Sequence, residues 1–289
     1  MGSGNRETWS QRSDGCIGWF DAAVCNHHQM CLNAEDRHRF MQAVRDSDTN
    51  PKQQFKDDKR SRVIVFEWEQ RDWVVKWIRM SPLKTFAYHL VRRTPAWREW
   101  QGSHRLAALG CRVNSPIALI HDASLGRWSQ RLVLPHIEGD SLHHYIRDDV
   151  DRAAWTQADH DRRSRIARSV GRQIGELAAS GTINRDHKPS NLIVDSVCET
   201  SDTPPWMIDP AGIRVRRSDD QVLQMLDVMW RAARRAGFVS HREMIDCIRA
   251  VLEADVGLFS GSGNRVHECI QRLRGMMAVR PLSYDPGEE

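Results

Sequence analysis

The stretch Ile183-Asn-Arg-Asp-His-Lys-Pro-Ser-Asn-Leu-Ile-Val194 decides how the rest of the chain is read. Its polar centre holds Asp186, Lys188 and Asn191, and the apolar run Leu192-Ile-Val194 that follows predicts a short strand. A second short strand is expected over Trp206-Met-Ile208, ending directly in Asp209-Pro-Ala-Gly212, eighteen residues beyond Asn191. An aspartate five residues before an asparagine is common by chance. Here it is flanked by strands and followed by a second strand that ends in an aspartate, and that combination is specific.

Arg185-Asp186-x-Lys188-Pro189-x-Asn191 resembles the catalytic loop of protein-kinase-like enzymes, H-R-D-x-x-x-x-N followed by a short strand. Ile208-Asp-Pro-Ala-Gly212 resembles their metal-binding D-F-G segment. The resemblance implies that Asp186 orients an acceptor hydroxyl and takes its proton, and that Lys188 contacts phosphate. It makes Asn191 and Asp209 the ligands of Mg²⁺, with ATP as the phosphoryl donor. The chemistry suits these residue types. In phosphoryl transfer charge spreads over the oxygens of the moving group, so the protein mainly positions reactants and neutralises charge. Mg²⁺ in turn takes a few carboxylate or amide oxygens together with water and substrate phosphates.

Upstream, Val63-Ile-Val-Phe-Glu-Trp68 and Trp73-Val-Val-Lys-Trp-Ile78 predict two strands, with Glu69-Gln-Arg-Asp72 as the hairpin turn. Thr94-Pro95 is an N-cap followed by proline at the first helical position, and Gly110 stops the helix after Leu109. Val-Val-Lys76 resembles the strand whose lysine contacts the nucleotide phosphates, and Glu99 is the helix carboxylate best placed to pair with it. The plainer alternatives are a lysine on a solvated strand face and an exposed helical glutamate. The turn expected to cover the phosphates, Asp57-Asp-Lys-Arg-Ser-Arg62, holds no glycine, so Lys59, Arg60 and Arg62 would reach phosphate by side chain.

Two more strands are expected at Ile117–Ile120 and Arg131–Leu134, and a long helix over Asp161–Ala179 with Ile166, Val170, Ile174 and Leu177 on one face. Ser218-Asp-Asp-Gln221 and Ser240-His-Arg-Glu243 read as capping boxes. Residues 1–15 read as disordered, Asn33 as the cap of a short helix through Val44, and DSDTNPKQQ as a linker. The expected organisation is therefore an N-terminal appendage, 1–54, and a kinase-like domain, 55–289, with an N-lobe of about 55–138 and a C-lobe of about 139–289. The expected fold class is α+β: a protein-kinase-like two-lobed fold with a small β-rich N-lobe carrying one helix and a larger α-helical C-lobe.

Residues 55–76, the helix Arg98–Gly110 and Arg131-Leu-Val-Leu-Pro-His-Ile-Glu-Gly-Asp-Ser-Leu142 are similar to the lipopolysaccharide core kinases, over roughly residues 55–215. That family implies an ATP-dependent kinase acting on a sugar hydroxyl of a glycan, in the cytoplasm, with peripheral contact at the inner membrane allowed. Only eight residues lie between Asp209 and Ser218, and no A-P-E motif follows, which disfavours a protein substrate. Asn184 stands where the pattern has histidine, and Pro210 where it has phenylalanine. A small-molecule kinase of the aminoglycoside or choline type shares the same loop logic. A nucleotide-binding pseudokinase scaffold would also tolerate the missing glycines, although it would have no need of Asp186.

Composition agrees with an ordinary soluble globular protein. The chain is 40% hydrophobic and 28% charged, and its net charge of +4 is too slight for a dedicated nucleic-acid binder. No apolar run approaches the roughly 18–20 residues of a membrane span. Seven scattered cysteines suit reduced thiols, and Cys16, Cys25, His27, His28 and Cys31 lack the paired spacing of a zinc knuckle. The eleven tryptophans are expected mainly in packing, with one or two as a sugar-stacking platform.

Overall fold

The computed structural model describes residues 8–13, 16–28, 33–58, 61–80, 94–122, 128–148, 155–237 and 239–279. The chain divides into two compact units, Met1–Ala107 with Asn114–Ile137, and Ala108–Val113 with Glu138–Glu289.

The first unit is built on a seven-stranded antiparallel sheet. Its strands are β1 (Thr8–Ser13), β2 (Cys16–Asp21), β3 (Gln53–Asp57), β4 (Ser61–Trp68), β5 (Arg71–Met80), β6 (Ala118–Asp122) and β7 (Trp128–Pro135), in the order β1-β2-β6-β7-β5-β4-β3. Alternation along β4 and β5 gives each strand two faces. Ile64, Phe66, Trp73 and Val75 enter one buried cluster, while Val74 and Ile78 pack on the opposite side with Leu119, Leu132 and Leu134. The β4–β5 turn is tighter than expected. Only Glu69 and Gln70 connect the strands, both at positive φ (49° and 60°), as a two-residue hairpin requires.

The described residues among 8–54 are not an appendage to this unit. Helices α1 (Ala22–His27) and α2 (Ala34–Asp46) follow β2, and Phe20, Cys25, Phe40, Met41 and Val44 are buried in the same cluster as Phe66 and Trp73. Strands β1 and β2 lie within the stretch read as disordered or merely preceding the fold, and β2 pairs with β6 from Cys16↔Asp122 to Phe20↔Ala118. A partner about a hundred residues away leaves no local trace in the sequence. Asn33 does cap α2, accepting from the Asp36 amide at 2.8 Å. Helix α3 (Pro95–Ala108) packs Ala96 and Trp100 on the other face of the sheet, and Thr94 caps it by accepting from Trp97 N at 3.2 Å.

The second unit is mainly helical: α4 (Leu142–Asp148), α5 (Gln157–Ala179), α6 (Ser196–Thr200), α7 (Asp219–Ala236), α8 (His241–Ala254) and α9 (Arg265–Val279). Helix α5 begins a turn earlier than its apolar periodicity suggests, because Thr156 and Asp159 form a capping box. It packs closely on α8: a side chain at Gly171 would collide with the Cys247 carbonyl, so only glycine admits the approach. The expected box at Ser240–Glu243 is present, but that at Ser218 is not. Gln221 Oε1 instead accepts from Arg217 N, so the helix start is closed one residue earlier. Short strands β8 (Asp140–Ser141), β10 (Leu192–Val194) and β11 (Trp206–Met207) form one small sheet, and β9 (Thr182–Asn184) pairs with β12 (Ile213–Val215), a ribbon that the sequence did not announce. No helix among the described residues is long and apolar enough to cross a membrane.

Candidate active site

In the first unit, Lys76 sits in the middle of β5, opposite Val63 of β4 and Leu132 of β7. Its ammonium lies 2.7 Å from Glu99 Oε2 on α3, and the glutamate is almost fully buried. Burial leaves the carboxylate dependent on its partners for compensation, so a directional pair is the expected arrangement. Residues 23 positions apart are thus joined by a strand and a helix packed on the same sheet face. Lys59 and Arg60 lie outside the described residues. Arg62 donates to Gln54 and to the Asp48 carbonyl within its own unit, which occupies it structurally.

In the second unit, β9 delivers the polar loop. Asn184 is buried at its end and accepts from the Asp186 amide through Oδ1 at 3.1 Å, a local turn of the kind that short polar side chains make. The Lys188 amide donates to the Asp186 carbonyl at 3.0 Å, and the Asn191 amide to the Lys188 carbonyl at 2.9 Å. Pro189–Asn191 then form a single 3₁₀ turn into β10. Asp186 keeps its carboxylate half exposed, 3.6 Å from the Lys188 ammonium. The Asn191 Nδ2 donates to the Asp186 carbonyl at 2.9 Å. One of its two N–H donors is therefore committed to the loop, and its Oδ1 is the atom suited to a cation.

Asp209 arrives beside this loop by backbone pairing. Ile208 N donates to the Asn191 carbonyl at 2.9 Å, and Met207 N to the Arg112 carbonyl at 2.9 Å. The Arg112 guanidinium also binds Asp195. Burial alone would raise the Asp195 carboxyl, but hydrogen bonds from Arg112, Cys198 and Trp206 hold it far below the usual carboxylate range. Asp209 itself adopts the left-handed conformation (φ 52°, ψ 53°), which costs a non-glycine residue about 1–2 kcal/mol. Strain of this kind persists where surrounding structure enforces it, and functional sites are where it collects. Pro210–Gly212 turn next, and the Arg185 amide donates to the Gly212 carbonyl at 3.1 Å. A Cβ at Gly212 would stand 2.9 Å from the Asp186 nitrogen and 3.0 Å from Asn184 Oδ1, so glycine is what lets the two segments touch.

The donor set fits Mg²⁺ in one respect. Among the described residues no three His, Cys, Asp or Glu side chains gather into a metal cage; these residues include Cys16, Cys25, His27 and His28 but not Cys31. A cation that takes one carboxylate and one amide oxygen from the protein, and the rest from phosphates and water, needs no such cage. An apolar recess of about 90 Å³ lies elsewhere in the second unit, among Ile146, Val170, Leu226 and Ile248. Its charged lining residues are paired, Arg163 with Glu243 and Asp227 with Arg231.

No family model matches the chain, and no curated protein matches its sequence. Among solved structures it is similar to one described as WaaP in complex with acyl carrier protein, with a TM-score of 0.56 and 14% identity, covering 82% of this chain and 88% of that one. The sheet-containing unit and the helical unit are consistent with a kinase-like fold. At this identity the likeness speaks for the fold alone, and the mixed helix and sheet architecture expected from the sequence is present at that level. Three residues around the loop escaped the sequence reading in their structural roles: Asn184 as the brace of Asp186, Gly212 as the point of closest approach, and His187. His187 is fully buried beside Asp186 with no hydrogen bond from the described residues to either ring nitrogen, and burial pushes its pKa down to about 4. Only the position of Gly212 after Asp209 could have signalled a close approach.

Proposed function

We propose that this chain is an ATP- and Mg²⁺-dependent phosphotransferase that phosphorylates a sugar hydroxyl of a glycan such as the lipopolysaccharide inner core. The observation that carries the reading is the packing of Asp209's segment against the loop of Asp186 and Asn191, through the Ile208–Asn191 backbone bond and the Gly212–Asp186 contact. It supports one site for two chemistries. Asp186, with its carboxylate half exposed, orients the acceptor hydroxyl and accepts its proton. Lys188 neutralises charge that develops on the moving phosphoryl group. Asn191 Oδ1 and Asp209 would hold Mg²⁺, which supplies charge neutralisation on the nucleotide phosphates. Lys76, oriented by Glu99, would bind nucleotide phosphate as a point charge.

The acceptor class rests on the resemblance of residues 55–215 to the lipopolysaccharide core kinases and on the chain after Asp209. Eight residues separate it from Ser218, and three of them form β12, paired to β9. That leaves little chain to dock a peptide. A cytoplasmic enzyme, working on a glycan presented at the inner membrane, follows from the same reading. The test is transfer of labelled phosphate from Mg·ATP to dephosphorylated inner-core acceptor. Transfer by the wild type and its loss in Asp186→Asn, which keeps the fold because the side chain is half exposed, is the expected result. Equal transfer by both proteins, or none to any core acceptor, would sink the reading.

A further inference from the structure

The strand that precedes α1 reaches the helix that carries Glu99. Asp21, the last residue of β2, is fully buried. Its Oδ1 accepts from Val24 N at 2.8 Å, and its own amide donates to the Ile117 carbonyl at 2.9 Å, so both ends of the residue are fixed. Its Oδ2 lies 3.2 Å from Nδ1 of His104 on α3. His104 packs edge-on against Trp100 of the same helix, with ring centroids 4.7 Å apart.

Glu99 and His104 are five residues apart, which places them about 140° apart around the helix axis and about 7.5 Å apart along it. One contact would leave the helix able to roll. Two contacts on different sides fix its rotation, and the second comes from a strand outside those that bear Lys76. The apolar contacts of Ala96 and Trp100 with Leu119, Leu132 and Leu134 hold the helix to the sheet but are non-directional.

We propose that Asp21 is a positioning residue: acting through His104, it sets the rotation of α3 at which Glu99 meets Lys76. The chain thereby supplies its own anchor for this helix from residues 16–21. The catalytic consequence rests on the reading of Lys76 as a ligand of the nucleotide phosphates; the anchor itself does not.

The experiment is a double-mutant cycle. Asp21→Asn keeps an N-cap acceptor and the shape of the side chain but removes the charge facing His104. It should lower kcat/KM for Mg·ATP about tenfold, and it should add nothing further in a Glu99→Gln background, because both changes act through one pair. His104→Leu should reproduce the loss, and His104→Gln, which keeps an N–H donor, should recover most of it. Amide hydrogen exchange provides the readout that needs no activity: protection over residues 95–108 should fall about tenfold in Asp21→Asn while that of β4 and β5 is unchanged. An additive effect in the cycle, or unchanged α3 protection, overturns the proposal. If the wild type turns over no ATP, the kinase reading fails, and exchange in the His104 variants still decides whether the anchor exists.

Discussion

Asn191 donates through Nδ2 to the backbone carbonyl of Asp186 at 2.9 Å, and this bond makes one side chain both a brace of the loop and, through its oxygen, a ligand candidate. Replacement should separate the two roles. Asn191→Asp offers a carboxylate to a cation but sets an acceptor against an acceptor at Asp186. We expect a stability loss of about 1–2 kcal/mol and a turnover loss of at least a hundredfold that excess Mg²⁺ does not repair. Denaturant unfolding and a Mg²⁺ titration of turnover check both parts.

Gly212→Ala should be more damaging than its size suggests. The new methyl would meet the Asp186 nitrogen at 2.9 Å and its Cβ at 3.1 Å, and neither can swing away as a flexible side chain would. A loss of about 1–3 kcal/mol, the ordinary cost of overpacking, should accompany a collapse of turnover with nucleotide binding largely kept. Calorimetry with ATP against steady-state rates measures the difference.

Lys76→Met leaves Glu99 buried beside an apolar side chain. Because Lys76 is 20% exposed in the pair, the expected cost is about 2 kcal/mol, below that of a fully buried ion pair. Adding Glu99→Leu should restore most of that stability without restoring ATP turnover. Recovery of turnover in the double variant would show that the pair serves only the fold.

His187 gives the second unit an acid-sensitive element. Its folded pKa, about 4, lies below the ordinary 6.5, because burial excludes the charged ring. The folded state therefore stays neutral while the unfolded state takes up a proton as pH falls below 6.5. This stabilisation is complete above pH 6.5 and declines between 6.5 and 4. From the two values its contribution at pH 5 is smaller than at pH 7.5 by about 2 kcal/mol. His187→Leu should lose correspondingly less stability than the wild type between those two pH values, as read by denaturant midpoints.

Much of the fold was legible where the signal is local. The alternation in residues 63–68 and 73–78, the Thr94-Pro95 helix start, the Asn33 cap and the Ser240–Glu243 box all depend on neighbours within a few positions, and each has its counterpart in the structure. The Ser218 box failed because a spacing of the right letters does not say which amide the glutamine will reach, and Arg217 N lay nearer the mark. Residues 8–46 were misread for a different reason. Their apolar residues, Phe20, Phe40, Met41 and Val44, are too sparse to announce a core, and their partners are Ile64, Phe66 and Trp73 of strands further along.

Residue type and spacing marked the candidates for chemistry: Asp186, Lys188, Asn191 and Asp209 in two short segments, and Lys76 in a strand, with Glu99 named as its partner by position alone. How each of them is held follows from the long-range packing. It turned the Asn191 amide by binding its nitrogen, forced Asp209 into the left-handed conformation, brought Gly212 against Asp186, and gripped α3 through Asp21 and His104. The difference has one physical cause. Residue type and local propensity act over a few positions, whereas the orientation of a side chain is set by atoms that long-range strand pairing and helix packing bring beside it.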